Sequence, residues 1–145
     1  MKRNLDYFIV SDFNLIIETA KGEIDFADYI QLKIREAEDP LYNANYNFIV
    51  DLRNAVPKNN LKIEKEFQLY ISHVKNIPNV LNNRKSAFIT DTPQQVVAVT
   101  FYKMLSDLPI EIEVFTTFES AIQWLNVESI TPELVESLIE NNIEK

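Results

Sequence analysis

The chain has 145 residues, 46% apolar and 25% charged, which suits one domain with one substantial core and is too hydrophobic for a disordered chain. Its formal net charge of −8 opposes binding to nucleic acid or to anionic membrane surfaces, both of which need clustered Lys and Arg. The absence of cysteine excludes disulfides, thiol nucleophiles and thiolate metal sites, and a single glycine, Gly22, cannot build a GxGxxG or GxxxxGK[ST] phosphate loop.

Residues 5–10 (LDYFIV) read as a strand, followed by the turn composition Ser11-Asp12-Phe13-Asn14. A second strand over Leu15–Ala20 ends at Lys21-Gly22, and the short connection predicts an antiparallel hairpin. Asp25 is placed to cap a helix whose apolar stripe is Phe26, Tyr29, Ile30, Ile34 and Ala37, ending at Asp39-Pro40. With glycine so scarce, the numerous asparagines are candidates for positive-φ turn positions.

After the loop PLYNANYN (40–47), Phe48-Ile49-Val50 is a continuous apolar strand of the kind covered on both faces. Pro57–Asn60 leads into a helix with Ile63, Phe67, Tyr70, Ile71 and Val74 on its buried side, stopped near Ile77-Pro78. Ser86–Thr90 forms a fourth strand, and Asp91-Thr92-Pro93 is a helix-start signal. Val96, Val97, Thr100, Phe101, Met104 and Leu105 are expected to form that helix's core face, with Pro109 closing it. Glu111–Phe115 is a fifth strand, followed by a short helix bearing Ala121, Ile122, Trp124 and Leu125. A last helix over 131–143 carries Leu134, Val135, Leu138 and Ile139 on one side and Glu133, Glu136 and Glu140 on the other.

A hairpin followed by alternating helices and strands implies an α/β layer structure with parallel later strands and right-handed crossovers. No apolar run approaches the roughly 20 residues of a membrane span. The run Tyr7–Val10 is interrupted by Asp12 and is too short for a signal-peptide core, so a cytoplasmic setting is expected.

Four features resemble the SpoIIAA-like family, which is related to the STAS domain of anti-sigma factor antagonists. They are Gly22 before the first helix, FIVDLR (48–53), AFITD (87–91), and EVFTTFESAIQWL (113–125) with its Ala121, Trp124 and Leu125 signature. The resemblance implies a STAS-like mixed sheet of four to five strands over residues 1–127. Residues 128–145 then form an added C-terminal helix, packed on the domain or on a partner. It implies a non-enzymatic binding or regulatory role without a cofactor; comparison of some relatives with Sec14-like carriers raises a lipid or other apolar ligand as the alternative. Phosphorylated STAS antagonists place a serine after the central strand, but DLRNAVPKNNLKIEKEF (51–67) contains no Ser or Thr, so that switch is not carried over.

Asp51 and Arg53 share one face of a strand end, on the edge where open α/β sheets bind ligands. The plainer alternative is a local ion pair; the functional one is an arginine fork for a carboxylate or phosphate. Thr90, Asp91 and Thr92 at the next strand-to-helix junction offer either ordinary capping or an anion-attracting helix start, and Asn54 lies beside Arg53. His73 lacks a carboxylate at i±3 or i±4 and any GxSxG serine, which argues against a metal or triad role. Asp12, Asp25 and Asp28 read as turn and cap acids, Trp124 as core, and Tyr42 and Tyr46 as either core or pocket lining. The expected function is recognition of a protein partner or small ligand by Asp51, Arg53, Asn54, Thr90, Asp91 and Thr92, with a homodimer through the last helix as a further possibility.

Overall fold

The computed structural model describes residues 4–58, 63–76, 83–105 and 108–143. Five strands form one sheet in chain order: β1 (Leu5–Val10), β2 (Leu15–Ile24), β3 (Asn47–Pro57), β4 (Arg84–Ile89) and β5 (Ile110–Phe115). β1 and β2 make the antiparallel hairpin, Val10 opposite Leu15, and every other neighbouring pair is parallel. The hairpin turns at Asn14, whose φ of 54° is the left-handed conformation that asparagine tolerates.

β2 runs beyond Ala20 to Ile24. A bulge sets Thr19 and Lys21 against Asp51 and Asn54, and Gly22 takes φ +67°, so the strand bends without ending. β3 likewise continues past Val50 to Pro57, while β4 stops at Ile89. The C-terminal tip of β3 therefore projects beyond its neighbour.

Helices α1 (Phe26–Glu38), α2 (Ile63–Lys75) and α3 (Pro93–Leu105) each connect two adjacent parallel strands. Right-handed crossovers between neighbours in sequential order place all three helices on one face. Leu32 of α1, Ile71 of α2, and Val99 and Tyr102 of α3 accordingly share one core with Ile16, Phe48, Val50 and Phe88 of the sheet. The opposite face is covered by α4 (Phe118–Leu125) and α5 (Pro132–Ile143), which pack Ala121, Ile122, Val135 and Ile139 on Leu15, Ile17, Ile49, Ala87 and Ile89. β3 sits between two covered layers, and Phe48, Ile49 and Val50 are all buried.

Two helices differ from their sequence patterns. α1 begins at a capping box, Asp25 accepting from the Asp28 N–H while the Asp28 side chain accepts from the Asp25 N–H. Its buried residues, however, include Lys33 and Glu36 beside Leu32, whereas Tyr29, Ile30, Ile34 and Ala37 are only half-buried. α3 turns Gln95, Val99 and Tyr102 inward and leaves Val96, Val97, Thr100, Phe101 and Met104 exposed, the reverse of its expected core face. Both sides of α3 are apolar, so periodicity alone could not choose between them, and β-sheet docking selected the side with Gln95. Of the expected inner residues of α2, Ile71 is buried; the side chains of Ile63, Phe67, Tyr70 and Val74, like those of Phe26 and Leu105, lie outside the described residues, as does Ile77-Pro78.

Candidate functional site

The tips of β3 and β4 lie side by side, Asp51 opposite Ile89. The six residues Asp51, Arg53, Asn54, Thr90, Asp91 and Thr92 therefore gather on one rim. Asn54, Asp91 and Thr92 are exposed, Arg53 is half-buried, and Asp51 and Thr90 are buried. The rim is tied together from within. Arg53 Nε donates to Asp51 Oδ1 at 2.8 Å and Nη2 donates to Oδ2 at 2.9 Å. Its other edge donates to Glu136 of α5, Nη1 to Oε1 at 2.7 Å and Nη2 to Oε2 at 3.2 Å. The guanidinium also lies 4.8 Å from the Phe118 ring centre at the start of α4. Hydrogen bonds to Asp51 and then Glu136 raise the Arg53 pKa, so its charge is fixed.

The α3 start is closed in a similar way. Thr92 and Gln95 form a reciprocal cap: Gln95 N–H donates to Thr92 Oγ1, and Gln95 Oε1 accepts from the N–H groups of Asp91 and Thr92. The Gln95 amide then donates to the Ala55 carbonyl at 3.0 Å and the Arg53 carbonyl at 3.4 Å, stitching α3 to the projecting tip of β3. The N–H groups of Asp91 and Thr92 are thus already engaged. Gln95 was readable as the fourth residue of Thr92-Pro93-Gln94-Gln95, a T-x-x-Q cap signature. On the α4–α5 side, a cleft of about 380 Å³ opens between Arg53, Thr116, Thr117, Glu119, Glu133 and Glu136.

α3 rises from this rim with an apolar row on its outer side. Val97 is 55% exposed, Phe101 38% and Met104 75%, at i, i+4 and i+7. Val96, on α3, and Val56, near the end of β3, are exposed as well.

Beneath α1 lies a group of charges that the sequence patterns did not reveal. Glu18 points from β2 into the first core and is 0% exposed. Tyr29 Oη donates to Glu18 Oε1 and Lys33 Nζ to Glu18 Oε2, both at 2.6 Å. Lys33 Nζ also donates to Glu36 Oε1 at 3.3 Å and sits 3.9 Å from the Phe48 ring centre. Arg84, from the start of β4, stacks 4.5 Å over the same ring and donates to Tyr42 Oη at 2.9 Å. Burial works against the Lys33 ammonium, but Glu18 and then Glu36 overcome it and push its pKa up to about 12. Burial also pushes Glu18 up, yet Lys33 beside it and the hydrogen bonds from Glu36, Lys33 and Tyr29 hold it below the ordinary glutamate range. Glu36 moves the other way, held well above that range first by burial and then by the Glu18 charge. A lone acid in the apolar strand Leu15–Ile17–Glu18 and two charges in register with Tyr29 (29, 33, 36) were the available signals.

The remaining candidates have structural surroundings. Asp25 and Asp28 cap α1, Tyr42 anchors Arg84, Tyr46 packs on the first core, and Trp124 meets Phe115 at 5.6 Å with Lys85 5.0 Å over its ring. His73 is exposed on α2, and among the described residues no three acidic or histidine side chains are grouped to hold a metal ion. Among them, too, no helix is long and apolar enough to cross a membrane.

A five-stranded mixed sheet with one antiparallel pair, three crossover helices on one face and a helix pair on the other has a SpoIIAA-like α/β fold. A solved structure that matches it is an uncharacterised protein of the DUF3478 family, with a SpoIIAA-like fold, from Shewanella loihica PV-4. The match covers 86% of this chain and 98% of that one, with a TM-score of 0.52 and 18% sequence identity. At that identity the likeness establishes the fold. No protein-family model matches the sequence, nor does any curated protein. The resemblance read from FIVDLR, AFITD and the Ala121–Trp124–Leu125 ending is thus carried by the architecture.

Proposed function

We propose that this chain is a non-enzymatic regulatory domain that acts by binding a protein partner. Contact is made at the C-terminal rim of the sheet and along the outer side of α3 that rises from it. The observation that carries this is the row Val97, Phe101 and Met104, exposed on a helix whose inner side already fills the core. Large apolar groups at i, i+4 and i+7 are the pattern by which a helix face meets a groove or another helix. Exposed Asn54, Asp91 and Thr92 lie on the rim from which α3 starts and supply the polar groups that orient such a contact. Because Arg53 is engaged by Asp51 and Glu136, apolar contact rather than capture of a small anion dominates recognition. Enzymatic chemistry needs titratable groups that substrate can reach; among the described residues Glu18, Lys33 and Glu36 are sealed under α1, and in the open cleft Arg53 is taken up by Asp51 and Glu136.

Partner recovery by affinity capture tests this, with circular dichroism to confirm that each variant is folded. The double variant Phe101→Asp, Met104→Asp is expected to lower recovery by about tenfold or more, as loss of a central apolar anchor does. Arg53→Ala with Asp91→Ala is expected to lower it less. Undiminished recovery by the α3 variant would remove this face from the interface. A hydrophobic small molecule co-purifying in native mass spectrometry, with no protein partner, would favour a carrier instead.

A further inference from the structure

We infer that Glu36 and Glu18 share one proton at neutral pH, forming a buried carboxyl–carboxylate latch that holds α1 on the sheet and opens in alkali. Both side chains are fully buried, and the same ammonium, Lys33 Nζ, touches both, at 2.6 Å for Glu18 and 3.3 Å for Glu36. The donors are unequally divided. Glu18 receives one on each oxygen, from Tyr29 and Lys33, whereas Glu36 has only the longer Lys33 contact. Among the described residues no donor reaches Glu36 Oε2.

A buried carboxylate oxygen with no donor is costly, whereas a protonated one is itself a donor. A proton on Glu36 removes the uncompensated charge and makes its carboxyl a donor, and Glu18, held by the same Lys33 Nζ, is the acceptor we assign to it. The other groups around the pair do not supply the missing donor. Arg84 of β4 bears on Lys33 but directs Nη2 to Tyr42 and stacks on Phe48. Tyr102 of α3 acts on Lys33, and Tyr7 of β1, which feels the Glu36 charge, donates to Asp39 at 2.7 Å. Two like charges in one dry site cannot both be held with a single ammonium, so one keeps its proton.

Loss of that proton leaves two carboxylates competing for Lys33. Because the folded pKa of Glu36 is raised, its contribution is fully present below the ordinary glutamate pKa. It declines as pH rises from there through the folded value. Glu18, lowered in the fold, acts oppositely and loses its contribution as pH falls below the ordinary range. The latch is therefore closed between the two titrations and opens above the upper one. α1 is the element released, because Tyr29, Lys33 and Glu36 all belong to it.

Infrared spectroscopy of the wild-type protein in heavy water at neutral pH tests the shared proton directly. A protonated carboxylic acid band is expected, lost in Glu36→Gln. In hydrogen exchange, protection of α1 relative to α5 is expected to fall as pH rises in the wild type and to stay constant in Glu36→Gln, whose amide mimics the protonated acid. Absence of the band, an unchanged band in Glu36→Gln, failure of that variant to fold, or the same alkaline loss of α1 protection in both proteins would each overturn the latch.

Discussion

The two faces of the sheet are covered by helices that arrive in different ways, and their interiors differ accordingly. α1, α2 and α3 are crossovers, each obliged to lie over the strands it joins, and the layer beneath them contains Glu18, Lys33, Glu36, Arg84 and Gln95. α4 and α5 follow the last strand consecutively, free of any return to the sheet, and their layer is aliphatic and aromatic, from Leu15 and Ile17 to Val135 and Ile139. On that side the charges among the described residues, Asp51–Arg53–Glu136 and Lys85 over Trp124, flank the apolar cluster and are not part of it. An apolar layer tolerates small shifts of a helix, whereas a charge network accepts one arrangement, since a displaced ammonium or carboxyl loses its partners in a dry site. Of the two faces, the α1 side is therefore the one with a fixed register and a titratable one, and the α4–α5 side is held by shape and area.

Substitutions separate the two kinds of interior. The largest effect is expected from Lys33→Ala, which leaves Glu18 and Glu36 buried without their shared cation; breaking a buried pair in this way costs about 3–5 kcal/mol. Urea denaturation should show that loss, and a change within experimental error would mean that the cluster is hydrated. Next comes Ile139→Ala, a cavity under α5 costing about 2–4 kcal/mol and insensitive to pH between the carboxylate and lysine ranges. If that loss varied with pH as is expected of the α1 side, the contrast between the faces would fail. The smallest is Glu136→Ala. Arg53 keeps Asp51, and both members of the lost pair are partly solvated, so at most about 1 kcal/mol is expected, weakening further in salt. A loss comparable to that of Ile139→Ala would show that the clasp, and not the apolar contact, holds α5.

The strand pattern of this fold was largely written in local sequence. Phe48-Ile49-Val50 announced a central strand, and Asp25 and Thr92-Pro93 marked helix starts. The scarcity of glycine pointed to asparagine in left-handed positions, and Asn14 and Asn126 occupy two of them. The gathering of Asp51, Arg53, Asn54, Thr90, Asp91 and Thr92 followed from their positions at adjacent strand ends. Their bonding did not. Glu136 reaches Arg53 from 83 residues away, and Gln95 binds carbonyls of β3 from 40 and 42 residues away.

By itself the sequence determined the order of strands and helices and their starts to within one or two residues, that the first two strands pair and that the rest alternate with helices, because caps, turns and periodicity act over a few residues. Only the tertiary structure decided which side of each helix is inside. On α1 the choice went to Lys33 and Glu36, because β2 offers them Glu18 and Tyr29 completes the bonding. On α3 it went to Gln95, Val99 and Tyr102, leaving Val97, Phe101 and Met104 exposed. A helix with two apolar sides, or with charges that can be paired, has no inward direction of its own. The layer it docks on supplies one, through burial and hydrogen bonds that exist only once distant segments meet.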